Sequence, residues 1–181
     1  MENLDYNEKD YEVRILTTKD VTPEYVKWIS DPEIIKYSRN RYRTFTLEGQ
    51  IKYVQEMVDS PDYHLYGIFH KKIHIGNITF GPIDYVNNIA EARVVIGYKK
   101  YWGKGIMFNC FKKSLKMSFG IYPFFKVCSN TYSNNLPTIF AIKKQGFVQE
   151  GCRKYHRVFE DTRVDLLEYS LFLEYGEPVK N

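Results

Sequence analysis

Apolar and polar positions alternate along several stretches of the chain, which is the pattern of strands buried on one face. The alternation is clear over Tyr11–Leu16, and three further β-like runs follow at His64–His70, Lys72–Phe80 and Ile89–Tyr98. Because only short polar segments separate these three runs, we expect them to form an antiparallel meander. Phe124–Ser129 differs, since it is short and almost entirely apolar, as expected for a strand buried on both faces.

Two helices are predicted between the first strand and the meander. Thr22 supplies a capping hydroxyl and Pro23 is favoured in a first turn, so a helix begins there and ends near Asp31. Thr46 caps a second helix, in which apolar residues recur at helical spacing until Ser60. The first strand is therefore separated from the meander by a pair of helices.

The second half of the chain alternates helices with strands. A third helix begins near Lys104 and ends at Gly120, and a fourth is capped by Asn135 and runs to Lys144. The remainder predicts a long terminal hairpin that turns at Glu160–Asp161. Because a strand lies on each side of the third helix, those two strands should be parallel. The order is βααβββαβαββ, a mixed α/β fold with a mostly antiparallel central sheet.

Length and composition indicate one globular domain. The 181 residues are 44% hydrophobic and 17% aromatic, which supplies a core and excludes wholesale disorder. We expect a single domain over residues 1–181 with its core at about residues 11–174. No apolar run approaches the roughly 18 residues of a membrane span, and the first ten residues are polar and acidic, unlike a signal peptide. We therefore expect a cytoplasmic protein without a membrane partner.

The cysteines and the net charge limit the kinds of site and ligand that the chain is expected to have. Cys110, Cys128 and Cys152 are odd in number and lack Cys-x-x-Cys spacing, so we expect buried, reduced thiols and no metal site. Subtracting 22 acidic from 26 basic residues leaves a formal charge of +4. This excess does not demand nucleic acid as a direct partner, but it suits a phosphorylated ligand.

The segment Ile96–Met107 carries the clearest candidate chemistry. It joins a strand end to the third helix through a turn that contains Gly103, Lys104 and Gly105. A helix start has unpaired N–H groups and partial positive charge, and glycines let a phosphate approach the backbone. The spacing matches neither the dinucleotide fingerprint nor the P-loop, and by itself it is also compatible with a simple tight connection.

Other short motifs flank this segment along the chain. They are HIGNI at His74–Ile78, AE at Ala90–Glu91, IG at Ile96–Gly97, WGKGI at Trp102–Ile106, the Asn135–Phe147 run ending in KKQGF, and EG at Glu150–Gly151 with Arg153 and Asp165. In this order they resemble the GCN5-related N-acetyltransferase (GNAT) superfamily, and most closely its ribosomal-protein N-acetyltransferase-like branch. The resemblance covers roughly residues 11–174.

The resemblance implies an enzyme that transfers an acetyl group from acetyl-coenzyme A (acetyl-CoA) to a primary amine. We expect direct transfer in a ternary complex, because no cysteine is placed with a histidine and an acid in a recognisable nucleophile arrangement. The pyrophosphate would lie on the amides of the glycine turn, and the pantetheine arm along the splayed end of the fourth strand. The implied cofactor-binding residues are Val95, Ile96, Gly97, Trp102, Gly103, Lys104, Gly105, Ile106, Met107 and Asn135. A plain N-cap explains Asn135 equally well.

Acetyl transfer needs a neutral amine, a stabilised oxyanion and a departing thiolate. Glu91 is the candidate base, because alternation places it with Arg93 on one face of the cofactor strand, and an ion pair between the two is the alternative. Main-chain N–H groups near Ile96 and Gly97 are candidate oxyanion donors. His74 is a weaker titratable candidate, which a partly buried structural histidine explains as well.

The general acid is not defined by the resemblance. The tyrosine that many family members use to protonate the thiolate aligns with Ile142, so that role is not carried over. Tyr132 and Ser133, just after the fifth strand, are candidate donors to the thiolate, with ordinary turn chemistry as the alternative.

A basic, aromatic loop between the first two helices is the candidate acceptor site, because this segment lines the acceptor side in the family. Its candidate residues are Arg39, Arg41 and Tyr42. They would suit an anionic acceptor such as a nucleotide-linked amino sugar, or a protein N-terminus near RNA, with a solvated loop as the alternative. A ribosomal-protein N-terminus and a small amine such as an amino sugar, polyamine or aminoglycoside all stay open.

Two other classes of function also stay open. A non-catalytic acyl-CoA binding or sensing module is motivated by Ile142, and it predicts binding of acetyl-CoA without amine-dependent turnover. An RNA-binding α/β domain is motivated by the basic loop and the 16 tyrosines. It predicts a steeply salt-dependent RNA affinity and no response to acetyl-CoA.

Overall fold

The structure is a computed structural model that describes residues 10–174 and the backbone of residues 177–178. The α-helices are α1 (Pro23–Ile29), α2 (Leu47–Asp59), α3 (Ile106–Ile121) and α4 (Leu136–Lys144). The strands are β1 (Tyr11–Ile15), β2 (His64–His70), β3 (Ile73–Asp84), β4 (Ile89–Ile96), β5 (Lys126–Tyr132), β6 (Val148–Phe159), β7 (Thr162–Glu174) and β8 (Glu177–Pro178). The predicted order is confirmed, with the two-residue β8 added at its end.

Side-chain caps begin three of the helices at the residues that the sequence indicates. Thr22, Thr46 and Asn135 each accept the backbone N–H of the residue three positions later, at 3.2, 3.1 and 3.4 Å. These bonds satisfy N–H groups that have no partner inside the helix. The first helix ends at Ile29, slightly before the predicted Asp31.

The strands form one sheet in the order β1-β2-β3-β4-β5-β7-β6, and β8 pairs with β7. Among the described strands only β4 and β5 are parallel, which confirms the prediction for the strands around α3. Their pairing is limited to Ile89–Glu91 against Lys126–Cys128. Beyond it β4 stays with β3 and β5 stays with β7, so the two strands diverge. We call the wedge between their C-terminal ends the β4–β5 cleft.

Helices cover both faces of the sheet. α3 and α4 pack on one face and α1 and α2 on the other, each around its own cluster of buried apolar side chains. We call these the α3–α4 cluster and the α1–α2 cluster. Successive residues of β4 point to opposite faces of the sheet, so Val94 packs against the α3–α4 cluster and Val95 against the α1–α2 cluster. The cleft is therefore bordered by a different helical layer on each side of the sheet.

The cysteines differ from the expectation of uniform burial. Cys110 is buried, Cys128 is half-buried and Cys152 is exposed, and none of them forms a disulfide with another described residue. Cys152 is exposed because β6 is the last strand of the sheet. Among the described residues, no helix is both long and apolar enough to cross a membrane.

Candidate active site

The turn between β4 and α3 has the geometry of an anion site. Gly103 and Gly105 have φ angles of +71° and +73°, the left-handed region that glycine adopts without steric cost. Gly105 is the N-cap of α3 and provides no capping side chain, and the first turn contains no acidic residue. A Cβ at either glycine would meet no atom within 4 Å. The uncapped N–H groups of the helix therefore adjoin open space.

Hydrogen bonding decides which backbone groups of β4 face the cleft. The N–H of Gly97 donates to the carbonyl of Ile75 in β3 at 2.7 Å. Successive residues of an antiparallel ladder point their N–H and C=O groups alternately toward and away from the partner strand. Val95 and Gly97 therefore turn these groups toward β3, and Val94 and Ile96 turn theirs toward the cleft.

Two side-chain hydrogen bonds agree with this alternation. The Trp102 indole donates to the carbonyl of Ile96 at 3.1 Å, and the Ser129 hydroxyl donates to the carbonyl of Ala92 at 3.3 Å. Both carbonyls face away from β3, which leaves the N–H and C=O of Val94 and the N–H of Ile96 for a ligand. The sequence did not single out Val94. Which residues of β4 point their N–H and C=O groups toward the cleft depends on the register between β4 and β3, and the sequence of β4 alone does not determine that register.

Gly97 has a packing role that its sequence neighbours do not reveal. A Cβ on Gly97 would lie 2.2 Å from the ring of Trp28, so only glycine allows this approach. The Trp28 ring also stacks on Tyr25 of the same helix, with centroids 4.6 Å apart. Helix α1 therefore lies directly against the end of β4.

A buried polar network lies beneath α1 and α2. The Tyr25 hydroxyl accepts hydrogen bonds from the Gln50 and Asn77 amides at 2.9 and 2.5 Å, and His74 Nε2 lies 2.7 Å from Asn77 Oδ1. Burial raises the pKa of Tyr25 and lowers the pKa of His74, because it disfavours the charged form of each. His74 is thus a neutral, hydrogen-bonded member of the core, which agrees with its structural interpretation.

Glu91 lies at the apex of the cleft. It pairs with Cys128 at the last position before β4 and β5 diverge. Its carboxylate accepts a hydrogen bond from Arg93 at 2.8 Å, and the two side chains are 46% and 53% exposed. Alternation therefore predicted their shared face correctly, and the ion pair left open by the sequence is present.

Tyr132 is the last residue of β5, which extends past the predicted end at Ser129, and Ser133 follows it. Tyr132 is buried, and its ring meets those of Tyr37 and Phe159 edge-on. The Ser133 hydroxyl accepts the N–H of Asp165 at 3.2 Å and keeps its own proton to donate. The donor role of both residues stays a prediction, and the Ser133 proton is not used in this hydrogen bond.

Helix α4 begins beside the cleft with two asparagines. Asn135 is buried, and its side-chain nitrogen has no partner within residues 10–174. The side-chain oxygen of Asn134 is also buried without a partner there. Ile142, at the tyrosine position, is buried in the α3–α4 cluster.

A pocket of about 300 Å³ lies between the α1–α2 connection and the tip of the β6–β7 hairpin, and we call it the loop–hairpin pocket. It is lined by Ser30, Pro32, Ile35, Lys36, Arg41, Tyr42, Arg43, Phe159 and Glu160. Arg41 links the two elements by donating to the carbonyl of Val158 at 2.6 Å. Of the predicted acceptor residues, Arg41 and Tyr42 line the pocket and Arg39 lies outside its lining.

The sequence matches the family model of the acetyltransferase (GNAT) domain over residues 12–148. The chain belongs to the GNAT acetyltransferase family. The match extends from β1 to the start of β6 and includes the cleft, the glycine turn and α4. The predicted family is thus confirmed. No curated protein matches the sequence.

Several solved acetyltransferase structures have the same fold as this chain. Ribosomal-protein-S5-alanine acetyltransferase from Vibrio fischeri has a TM-score of 0.81 at 18% identity, over 97% of this chain and 100% of that chain. Spermidine N-acetyltransferase from Vibrio cholerae, in complex with CoA and spermine, has a TM-score of 0.80 at 17% identity, over 91% and 96% of the two chains. Microcin C7 self-immunity acetyltransferase, in complex with acetyl-CoA and AMP, has a TM-score of 0.77 at 18% identity, over 91% and 93%.

Proposed function

We propose that this acetyltransferase binds acetyl-CoA in the β4–β5 cleft and transfers the acetyl group directly to a primary amine. The observation that carries the proposal is the uncapped start of α3 beside a strand edge with unpaired backbone groups. An extended pantetheine arm carries amides that would pair with Val94 and Ile96 as an added strand would. Structural neighbours crystallised with CoA or acetyl-CoA support the same donor.

The turn residues would hold the pyrophosphate mainly through the backbone. Gly105, Ile106 and Met107 supply N–H groups at the positive end of α3. The side chain of Ile106 is buried in the core, so it packs the helix rather than the ligand. Lys104 is exposed and adds positive charge. The unpartnered side-chain nitrogen of Asn135 is a further donor toward the pantetheine arm.

The residues around the cleft would each perform one part of the reaction. Ile96 N–H would stabilise the oxyanion, since Gly97 N–H already donates to β3. Ser133 would donate a hydrogen bond to the departing sulfur. Glu91 would accept the amine proton, directly or through water. The acceptor amine would approach past the α1–α2 connection, as a protein N-terminus or a small primary amine.

Calorimetry with acetyl-CoA tests the donor site. We expect the wild-type chain to bind and Gly105→Ala to bind about tenfold more weakly, because a Cβ at a φ of +73° strains the turn and occupies the open space. Gly120→Ala is the matched control: it also adds a Cβ into open space, but where the backbone φ is not positive. The affinity of this control variant for acetyl-CoA should equal that of the wild-type chain. Absence of heat with the folded wild-type chain would refute the proposal.

A further inference from the structure

The loop–hairpin pocket lies across the mouth of the β4–β5 cleft. Its lining residue Ser30 directly follows α1, whose Trp28 packs on Gly97 at the end of β4. On the other side, the ring of Phe159 lies 6.3 Å from that of Tyr132 at the end of β5. The pocket therefore connects the carboxyl ends of the two strands that form the cleft, where an acceptor amine must arrive.

The charge of the pocket lining is positive. Lys36, Arg41 and Arg43 line it, with Glu160 as the one acidic lining residue. Lys36 Nζ lies 3.7 Å from Glu160 Oε1, so these two charges compensate each other. The guanidinium groups of Arg41 and Arg43 have no ion-pair partner among the described residues. Two positive charges are therefore left for a ligand.

Arg41 is half-buried among neutral partners. Its guanidinium donates to the carbonyls of Val158 and Lys36 and to the hydroxyl of Tyr42. Its Nε is buried and has no hydrogen-bond partner in the described part of the chain. A bound anion would stabilise a partly buried cation that has no counter-ion. The planar guanidinium can donate two parallel hydrogen bonds to the oxygens of a carboxylate or phosphate.

The same sign of charge extends beyond the pocket. Arg39 on the loop and Arg157 and Arg163 on the hairpin make no ion pair with any residue in 10–174. The carboxylate of Asp165 forms an ion pair with Lys154, with Oδ2 2.9 Å from Nζ. Glu33 on the loop and Asp161 at the hairpin turn also make no ion pair with the described residues, but the unpaired arginines outnumber them. A polycationic acceptor would therefore meet net repulsion at the entrance.

The pocket also has an apolar floor. Ile35 and Phe159 are buried beneath the basic rim. A volume of about 300 Å³ exceeds that of a bare inorganic anion, so the group that binds there would belong to a larger molecule.

We infer that the amine acceptor carries an oxyanion group, a phosphate or a carboxylate, which binds between Arg41 and Arg43 while the rest of the acceptor covers Phe159. This inference rests on the proposed acetyl transfer. It makes a phosphorylated or acidic amine the preferred acceptor and a polyamine a poor one.

Matched pairs of amines test the inference by calorimetry on the CoA-saturated protein. The pairs are glucosamine 6-phosphate with glucosamine and γ-aminobutyrate with butylamine, and spermidine is the cationic reference. We expect the member that carries a phosphate or carboxylate to bind at least about tenfold more tightly than its partner that lacks one, with the difference shrinking at high salt. The pair with the larger difference identifies the oxyanion as phosphate or carboxylate. Equal affinities, tighter binding of spermidine, or no heat from either anionic amine would overturn the inference.

Two variants separate the pocket from general charge effects. Arg43→Gln removes a lining charge whose side chain makes no hydrogen bond or ion pair with the described residues. It should reduce the preference for the oxyanion-bearing amine at least about fivefold and leave stability unchanged. Lys113→Gln, on the exposed surface of α3, should keep the preference. Titration with CoA itself is the separate readout: a protein that binds CoA but shows no anion preference contradicts this inference alone. Failure to bind CoA contradicts the proposed function.

Discussion

Single backbone atoms decide which ligand groups the cleft can bind. The N–H of Gly97 is donated to Ile75, whereas the N–H of Ile96, one residue earlier, faces the cleft. Because the pattern alternates at each residue, a slip of one position between β3 and β4 would reverse every such assignment. The proposed oxyanion donor is thus determined by strand register and by no property of the Ile96 side chain.

Glu91 is the side chain whose replacement should affect the chemistry most. We expect Glu91→Gln to lower amine-dependent CoA release by about 10²- to 10⁴-fold and to leave acetyl-CoA binding intact, because the amide cannot accept a proton. The loss should be larger for an alkyl amine with a pKa of about 10.4 than for an α-amine of about 7.7–8.0, which is more often neutral.

Arg93→Gln is the matched control, since it removes the ion pair but keeps the carboxylate. It should retain most of the turnover. If Glu91→Gln affected both amines equally and no more than Arg93→Gln did, Glu91 would be a structural residue rather than the base.

At the scale of elements, the position of α1 on β4 shapes the site. The contact between Trp28 and Gly97 holds the helix against the strand end, and Tyr25 anchors the same helix to Asn77 of β3. α1 is short, so these tertiary contacts stabilise it more than its own hydrogen bonds do. The start of the loop that reaches the pocket is therefore positioned by a helix that packs on β4.

Gly97→Ala should destabilise the protein by about 1–3 kcal/mol, because its Cβ would overlap the Trp28 ring. In a Trp28→Leu background the same change should cost less, since the smaller side chain leaves space. Urea unfolding of the wild type, both single variants and the double variant measures this coupling. Equal costs in the two backgrounds would show that the contact does not limit the approach of α1.

At the scale of the molecule, burial of histidines links stability to pH. Burial lowers the pKa of His64, His70 and His74 below the ordinary value of 6.5. Below that value the unfolded chain binds protons that the folded chain does not, so unfolding is favoured. Asp20 acts at lower pH: burial disfavours its charge, but hydrogen bonds from Arg14 and Thr17 outweigh burial and bring its pKa to about 2.

The free energy of unfolding should therefore be greatest above pH 6.5 and should fall as the pH is lowered from 7.5 to 5.5. Urea unfolding at several pH values in this window measures the slope. His74→Gln should make the slope shallower, because it removes one of the three imidazoles whose pKa is lowered by burial. A stability that stayed level or rose on acidification would contradict the assignment of these histidines as buried and neutral.

Much of the fold could be predicted from local chemistry. Capping at Thr22, Thr46 and Asn135 and the shared face of Glu91 and Arg93 on β4 are properties of short segments, and the structure confirms them. The glycine turn was also predictable, since a positive φ favours glycine wherever it occurs.

The rest depends on residues far apart in the chain. The backbone edge at Val94, the contact of Trp28 with Gly97 and the closure of the pocket by Phe159 each need the register or packing of distant elements. The uneven burial of the cysteines has the same origin, because Cys152 is exposed by the position of β6 in the sheet. Segment patterns contain no information on these pairings.

The chain has two tryptophans, and both lie at the cleft. Trp28 is buried against the end of β4, whereas Trp102 is 44% exposed and its indole is bound to the carbonyl of Ile96. A ligand that competes for this carbonyl must displace or reorient the indole. The intrinsic fluorescence of the protein is therefore a natural optical probe of the cleft, and it requires no attached dye.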